Sequence, residues 1–146
     1  MNKSEILQII HTKLSEKIGN LERLIAETRA SNNETKSSMG DKYETTREMV
    51  QQEINNLQIQ LNENVKAKNS LKLLNSNPHE IVGSGSLVET DKGLFYIAVS
   101  LGEINFEGRK IFLISPESPL AKVLIGKKKE QEISLHNNKQ VIQNLW

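Results

Sequence analysis

Apolar residues recur along the first half of the chain in steps of three and four. From Leu7 they run through Ile10 and Leu14, pass Lys17, and continue through Leu21 and Leu24 to Thr28. A second series runs Val50, Ile54, Leu57, Leu61, Asn64, Lys68 and Leu71, with Val65 and Leu74 widening the stripe near its end. This spacing is the seam of a coiled coil and predicts two long helices. Lys17 interrupts the first seam, and Ile18 beside it can fill the gap. Ser4 followed by Glu5 reads as an N-cap with an acid in the first turn. Neither helix can bury its stripe alone. Residues 29–48, RASNNETKSSMGDKYETTRE, form a largely polar connection between them, and a short connection favours antiparallel neighbours. The pattern predicts an antiparallel coiled-coil hairpin over residues 1–77, roughly 40 Å long at 1.5 Å per residue, with its tip near 31–44. The competing arrangement is a dimer paired in trans. Two matched stripes around one connection favour pairing in cis, and hence a monomer.

Asn75, Ser76 and Asn77 lead into Pro78, which cannot continue a helix and pushes the residue before it out of the helical region. The domain boundary is expected there, with a second domain over 78–146. Beyond Pro78 the period changes. Residues 86–90 are β-prone, a DKG turn follows, and 94–101 (LFYIAVSL) reads as a strand buried on much of both faces. Residues 110–114 form another strand. Ser118 as N-cap, Pro119 in the first turn and Gly126 as stop predict a short helix over 118–124. Residues 131–135 and 140–145 read as a last hairpin around HNNK. The expected second domain is α+β, with about five strands and one short helix. Phe95, Tyr96, Phe106, Phe112 and Trp146 all lie in it, against Tyr43 alone in the first half, so the compact core belongs there.

Composition narrows the chemistry. The 146 residues carry a net charge of +1, which gives no bulk attraction to nucleic acid or membrane. There is no cysteine, so disulfides, thiolate nucleophiles and Cys-ligated zinc are excluded together. His11, His79 and His136 have no metal-ligand spacing. No segment approaches the roughly 20 apolar residues of a membrane span, and the N-terminus lacks the layout of a secretory signal. These features predict a soluble cytoplasmic protein. No GxSxG, Walker loop, HExxH or dinucleotide fingerprint appears, so no enzyme activity is expected of the chain itself. The run Lys127, Lys128, Lys129 reads as a solvated turn or as a contact for phosphate or protein. Trp146 is expected to pack on the sheet.

Residues 114–133, ISPESPLAKVLIGKKKEQEI, resemble the C-terminal domain of the Gre family of bacterial transcript cleavage factors. In that family a strand leads through a Ser-Pro segment into a short helix that ends in leucine, isoleucine, glycine and lysine. Ser118, Pro119, Ala121, Leu124, Ile125, Gly126 and Lys127 match that pattern in order. Residues 82–88, VGSGSLV, resemble the family's first strand, and the layout of hairpin, proline joint and sheet domain is similar throughout. The resemblance implies an FKBP-like antiparallel sheet domain without implied isomerase activity. It implies docking at the rim of the RNA polymerase secondary channel, with the hairpin entering that channel. The implied partner is core RNA polymerase, with the nascent RNA 3′ end met only inside that complex, and no membrane. On this reading Ser118, Pro119, Lys122, Lys127 and Lys128 are the candidate partner-binding residues.

The family's tip carries Gly-Asp-Leu-x-Glu-Asn. Its carboxylates help to hold a second Mg²⁺ at the polymerase's active centre, where the polymerase cuts backtracked RNA. Here Gly40, Asp41 and Glu44 keep that spacing, and the resemblance makes Asp41 and Glu44 the candidate catalytic pair. It implies no cofactor in the isolated protein and a Mg²⁺ shared with the polymerase. Lys42 stands where the family has leucine, and Thr45 where it has asparagine. A second register aligns Tyr43, Arg47 and Glu48 with a later family segment. The family acids then fall on Lys36 and Met39, and the acidic pair is lost. An acid near the start of a helix is also favoured by the helix dipole alone. Three functions follow for test. The first is a Gre-like factor that modulates elongation and stimulates the polymerase's own cleavage of backtracked RNA. The second is a secondary-channel regulator that does not. The third is a coiled-coil interaction module unrelated to transcription. A proline isomerase is suggested by fold alone, and fold does not carry function.

Overall fold

The computed structural model describes residues 1–36 and 44–146. Two helices open the chain, α1 (Lys3–Lys36) and α2 (Glu44–Leu71). The cap of α1 is Asn2 and not Ser4: Asn2 Oδ1 accepts from Glu5 N at 3.2 Å. The helix therefore begins two residues earlier than the Ser-Glu pair suggests, because an asparagine side chain reaches the third amide as well as a serine does.

The buried stripe of α1 is Ile6, Ile10, Leu14, Ile18, Leu21 and Ile25. It shares Ile10, Leu14 and Leu21 with the expected seam. Ile18 replaces Lys17, and Ile25 replaces Leu24, which is 41% exposed. The observed steps are mostly four, so the stripe drifts around the helix and does not hold a strict heptad. In α2 the expected main series is the one seen, but Val65 does not widen it. Ile54 and Leu71 are buried, Val50, Leu57 and Leu61 are half-buried, and Val65 is exposed.

The chain divides into two compact units. His11–Asn69 is one, and Met1–Ile10 with Ser70–Trp146 is the other. The start of α1 and the end of α2 both belong to the second of these, so the two helices run antiparallel. None of the helices among the described residues is long and apolar enough to cross a membrane.

The sheet has six strands, β1 (Leu87–Thr90), β2 (Gly93–Ile97), β3 (Gly102–Phe106), β4 (Arg109–Ile114), β5 (Glu132–Leu135) and β6 (Asn138–Leu145), in the order β3-β4-β2-β1-β6-β5. The expected single strand over 94–101 is corrected. β2 ends at Ile97, and an additional strand, β3, follows from Gly102. The sheet is mostly antiparallel, but β2 and β4 pair in parallel, with Leu94 opposite Ile111 and Ile97 opposite Ile114. β4 lies between β2 and β3, which separates two strands that are neighbours in sequence. The β3–β4 hairpin closes through Glu107 and Gly108, both with positive φ (51° and 77°), and the β5–β6 hairpin through His136 and Asn137 (50° and 66°). Both central residues left-handed is the two-residue turn whose twist matches the flanking strands.

The short helix α3 (Pro119–Leu124) lies on the sheet through Ala121 and Leu124, in a core with Val82, Val88, Ile97, Ile133 and Ile142. Trp146 extends the sheet: its N donates to Leu87 O at 2.9 Å, and its O accepts from Leu87 N at 3.1 Å.

Lys3 is buried in this unit, and its ammonium donates to Asn77 O at 2.8 Å. Burial pushes its pKa down from the usual 10.5 to about 8. Below pH 8 the amine is charged in both states, and the fold carries the full cost of desolvating it. Between about 8 and 10.5 the unfolded chain binds more protons than the folded one, so stability rises with pH. Lys3→Met, which keeps the apolar stem, should flatten that rise in chemical melts taken across the window. An unchanged slope would assign the rise to other groups.

Candidate functional site

The segment that carries the family resemblance is built by local rules. Ser118 is extended (φ −64°, ψ 152°), its Oγ accepts from Ala121 N at 3.2 Å, and Pro119 supplies the first helical turn. The missing amide of Pro119 costs nothing there, since the first turn's amides have no partner within the helix. The helix closes with Ile125 N donating to Ala121 O (2.8 Å) and Lys127 N to Leu124 O (3.0 Å). Gly126, at φ 89°, takes the left-handed conformation that stops it.

The exit of α3 is tied to the start of the sheet segment. Gly126 N donates to Val82 O, and Val82 N donates to Lys127 O, both at 2.9 Å. The two stretches that resemble the family, 82–88 and 118–127, are thus joined by a reciprocal pair of backbone bonds. Within the first stretch, Ser86 is fully buried. Its Oγ accepts from Gly83 N at 2.8 Å and lies 2.6 Å from His79 Nδ1. Burial, and secondly the nearby Lys3 charge, hold the His79 imidazole below its ordinary pKa.

Ser118 is therefore a capping residue, with its hydroxyl already engaged by the helix. Pro119 is exposed beside it. Lys122 and Lys127 are exposed and come together on one groove of about 360 Å³, with Val123, Ile125, Glu132 and Ser134. Lys128 lines a different cleft, of about 260 Å³, with His79, Glu80, Lys129 and Leu145. Its amide donates to Gln131 Oε1 at 2.7 Å, which fixes the turn of the lysine run. The structure thus brings two of the three candidate lysines to one face and turns the third away. Of the groove's apolar wall, Ile125 stood out in the sequence only as part of the family pattern, and Val123 did not stand out; Ile125 is 39% exposed.

Asp41 lies outside the described residues, as do Lys42 and Tyr43. Glu44 is the first residue of α2. Among the described residues no group of three or more histidine, aspartate or glutamate side chains is gathered to hold a metal ion.

No family model matches the chain, and no curated protein matches it. Among solved structures, the chain is similar to the crystal structure of the GreA factor homolog 1 (Gfh1) protein of Thermus thermophilus. The identity is 17% and the TM-score 0.39, over 93% of this chain and 94% of that one. It is similar to the crystal structure of Thermus aquaticus Gfh1 at 17% identity and TM-score 0.36, over 92% of each chain. A structure of the transcription factor Gfh1 aligns at 15% identity and TM-score 0.35, over 91% of this chain and 89% of that one. The likeness runs nearly the length of every chain.

Proposed function

We propose that this chain is a Gre-like transcription factor that binds RNA polymerase at its secondary channel and modulates elongation. The observation that supports this reading is the segment 118–127. The residues that resemble the family are those that cap, stop and anchor α3, and their arrangement leaves Lys122 and Lys127 exposed on a rigid support. A surface fixed in this way loses little entropy on docking. On this reading the element that enters the channel is the helix pair, of which α1 alone is about 50 Å long for its 34 residues. On this reading the chain has no catalytic activity of its own and acts on the polymerase's cleavage reaction. Lys42, a cation between Asp41 and Glu44 in sequence, favours a second reading, in which the factor occupies the channel without stimulating cleavage.

The test uses the full chain, core RNA polymerase and a stalled, backtracked elongation complex. The chain should co-migrate with core polymerase. The double variant Lys122→Glu/Lys127→Glu should weaken that binding on the order of tenfold, with the melting temperature unchanged, since reversing exposed charges at a contact replaces attraction by repulsion. Failure of the wild type to co-migrate would refute the reading. Cleavage of the backtracked RNA separates the stimulating factor from the non-cleaving regulator.

A further inference from the structure

The groove beside α3 is bordered by the outermost strand of the sheet, β5. Which backbone groups of β5 face outward follows from its bonds. Ile142 N donates to Gln131 O at 2.9 Å, and Glu130 N to Ile142 O at 2.7 Å. The next pairs in register are Glu132 with Val141 and Ile133 with Gln140. Val141 turns the other way: its N donates to Asp91 Oδ1 at 2.8 Å, and its O accepts from Asp91 N at 3.3 Å. Bonded pairs alternate along an antiparallel ladder. Ile133 and Leu135 therefore bond to β6, and the N–H and C=O of both Glu132 and Ser134 point to the open edge.

The side chains complete the arrangement. Ile133 is buried in the core with Ala121 and Leu124 of α3, so the groove opens on the helix side of this edge. Val123 and Ile125 wall it, and Lys122 and Lys127 flank it. Glu132 is offset by Lys139, 3.9 Å away, whereas Lys122 and Lys127 have no ion-pair partner among the described residues. An edge strand with unpaired backbone groups is a template for another strand.

We propose that the β5 edge and this groove bind an extended, acidic segment of a partner protein as an added strand. The N–H and C=O of Glu132 and Ser134 pair with its backbone. Alternate side chains of the segment fall on the helix side, where apolar ones fill the space between Val123 and Ile125. Flanking acids meet Lys122 and Lys127. This site stands on the sheet edge itself and does not require the partner to be RNA polymerase.

The test uses the full chain without polymerase, so its outcome is independent of the transcription reading. The probe is an octapeptide, acetylated and amidated, with two valines alternating with threonines between paired glutamates at each end. Its binding should slow hydrogen exchange at the amides of Glu132 and Ser134. A copy N-methylated on its strand-facing nitrogens, and a copy with lysine ends, should each bind at least about tenfold more weakly, the scale of one or two lost hydrogen bonds or charge contacts. Ser134→Pro removes one outward N–H at an edge position where proline is tolerated. It should weaken binding about fivefold to tenfold. If that variant is unfolded, the N-methylated peptide on the wild-type chain decides in its place. The proposal is overturned by no binding at millimolar peptide, by equal binding of the N-methylated copy, or by a dimer of the chain that Ser134→Pro disrupts.

Discussion

Asp41→Asn should leave the chain docked on RNA polymerase and lower its stimulation of RNA cleavage by about 10², the scale of losing one preorganised electrostatic contact at a reacting centre. The expectation rests on the proposed transcription function and on the family resemblance of residues 40–45. That resemblance implies that Asp41 and Glu44 lend carboxylate oxygens to a Mg²⁺ held mainly by the polymerase. Asparagine keeps the size and shape of aspartate and removes its charge, so an effect on cleavage alone reports charge and not fit. On the proposed reading docking rests on residues 118–127, so it should not respond. The measurement is single-turnover cleavage in a backtracked complex, beside a direct binding assay with core polymerase. Equal cleavage by wild type and Asp41→Asn would assign the tip to a steric or contact role. Loss of docking together with cleavage would place the tip, and not α3, at the anchoring contact.

Leu124→Ala should cost 2–5 kcal/mol of stability, the range for removing a fully buried leucine side chain. Leu124 is at 0% exposure and fills the space between α3 and the sheet, against Val82, Ile97, Ile133 and Ile142. A helix of six residues has too few internal bonds to stand alone, so its position depends on this contact and on Ala121. The loss should therefore reach function as well. Lys122 and the groove it shares with Lys127 depend on α3 being seated, and polymerase affinity should fall with stability. Trp146, the one tryptophan of the chain, is bonded to β1 through Leu87 and provides the fluorescence signal for denaturant melts. Leu73→Ala is the matched control. Leu73 is 85% exposed, and its truncation should change stability by no more than about 0.5 kcal/mol. Similar costs for the two variants would mean that α3 is not held by its buried face.

The sequence by itself determined the elements whose causes are local. Steps of three and four fix the existence of α1 and α2, because only residues on one side of a helix can be buried together. Ser118, Pro119 and Gly126 fix α3, because a cap, a preset φ and a left-handed stop act within one turn. The HNNK turn was legible for a similar reason, since short polar residues accept the positive φ found at His136 and Asn137.

The tertiary structure decided everything that depends on a distant partner. Ile6 beside Leu7, and Leu24 beside Ile25, offer two phases for the seam of α1. Burial selects Ile6 and Ile25, and nothing within the helix distinguishes them. Asn2, not Ser4, caps that helix, since both residues have the needed side chain and only the observed start separates them. Lys3 gives no sign in sequence of being buried, and its bond reaches a carbonyl 74 residues away. The strand β3 was missed because residues 98–101 continue the apolar run of β2 past its end, hiding the break before Gly102. The parallel pairing of β2 with β4, and the position of β5 at the sheet's edge, are facts of strand order. A strand's own residues fix its two faces through side-chain alternation, but which of its backbone groups stay unpaired depends on what folds against it. For Glu132 and Ser134 that outcome is set by β6 on one side and by open solvent on the other.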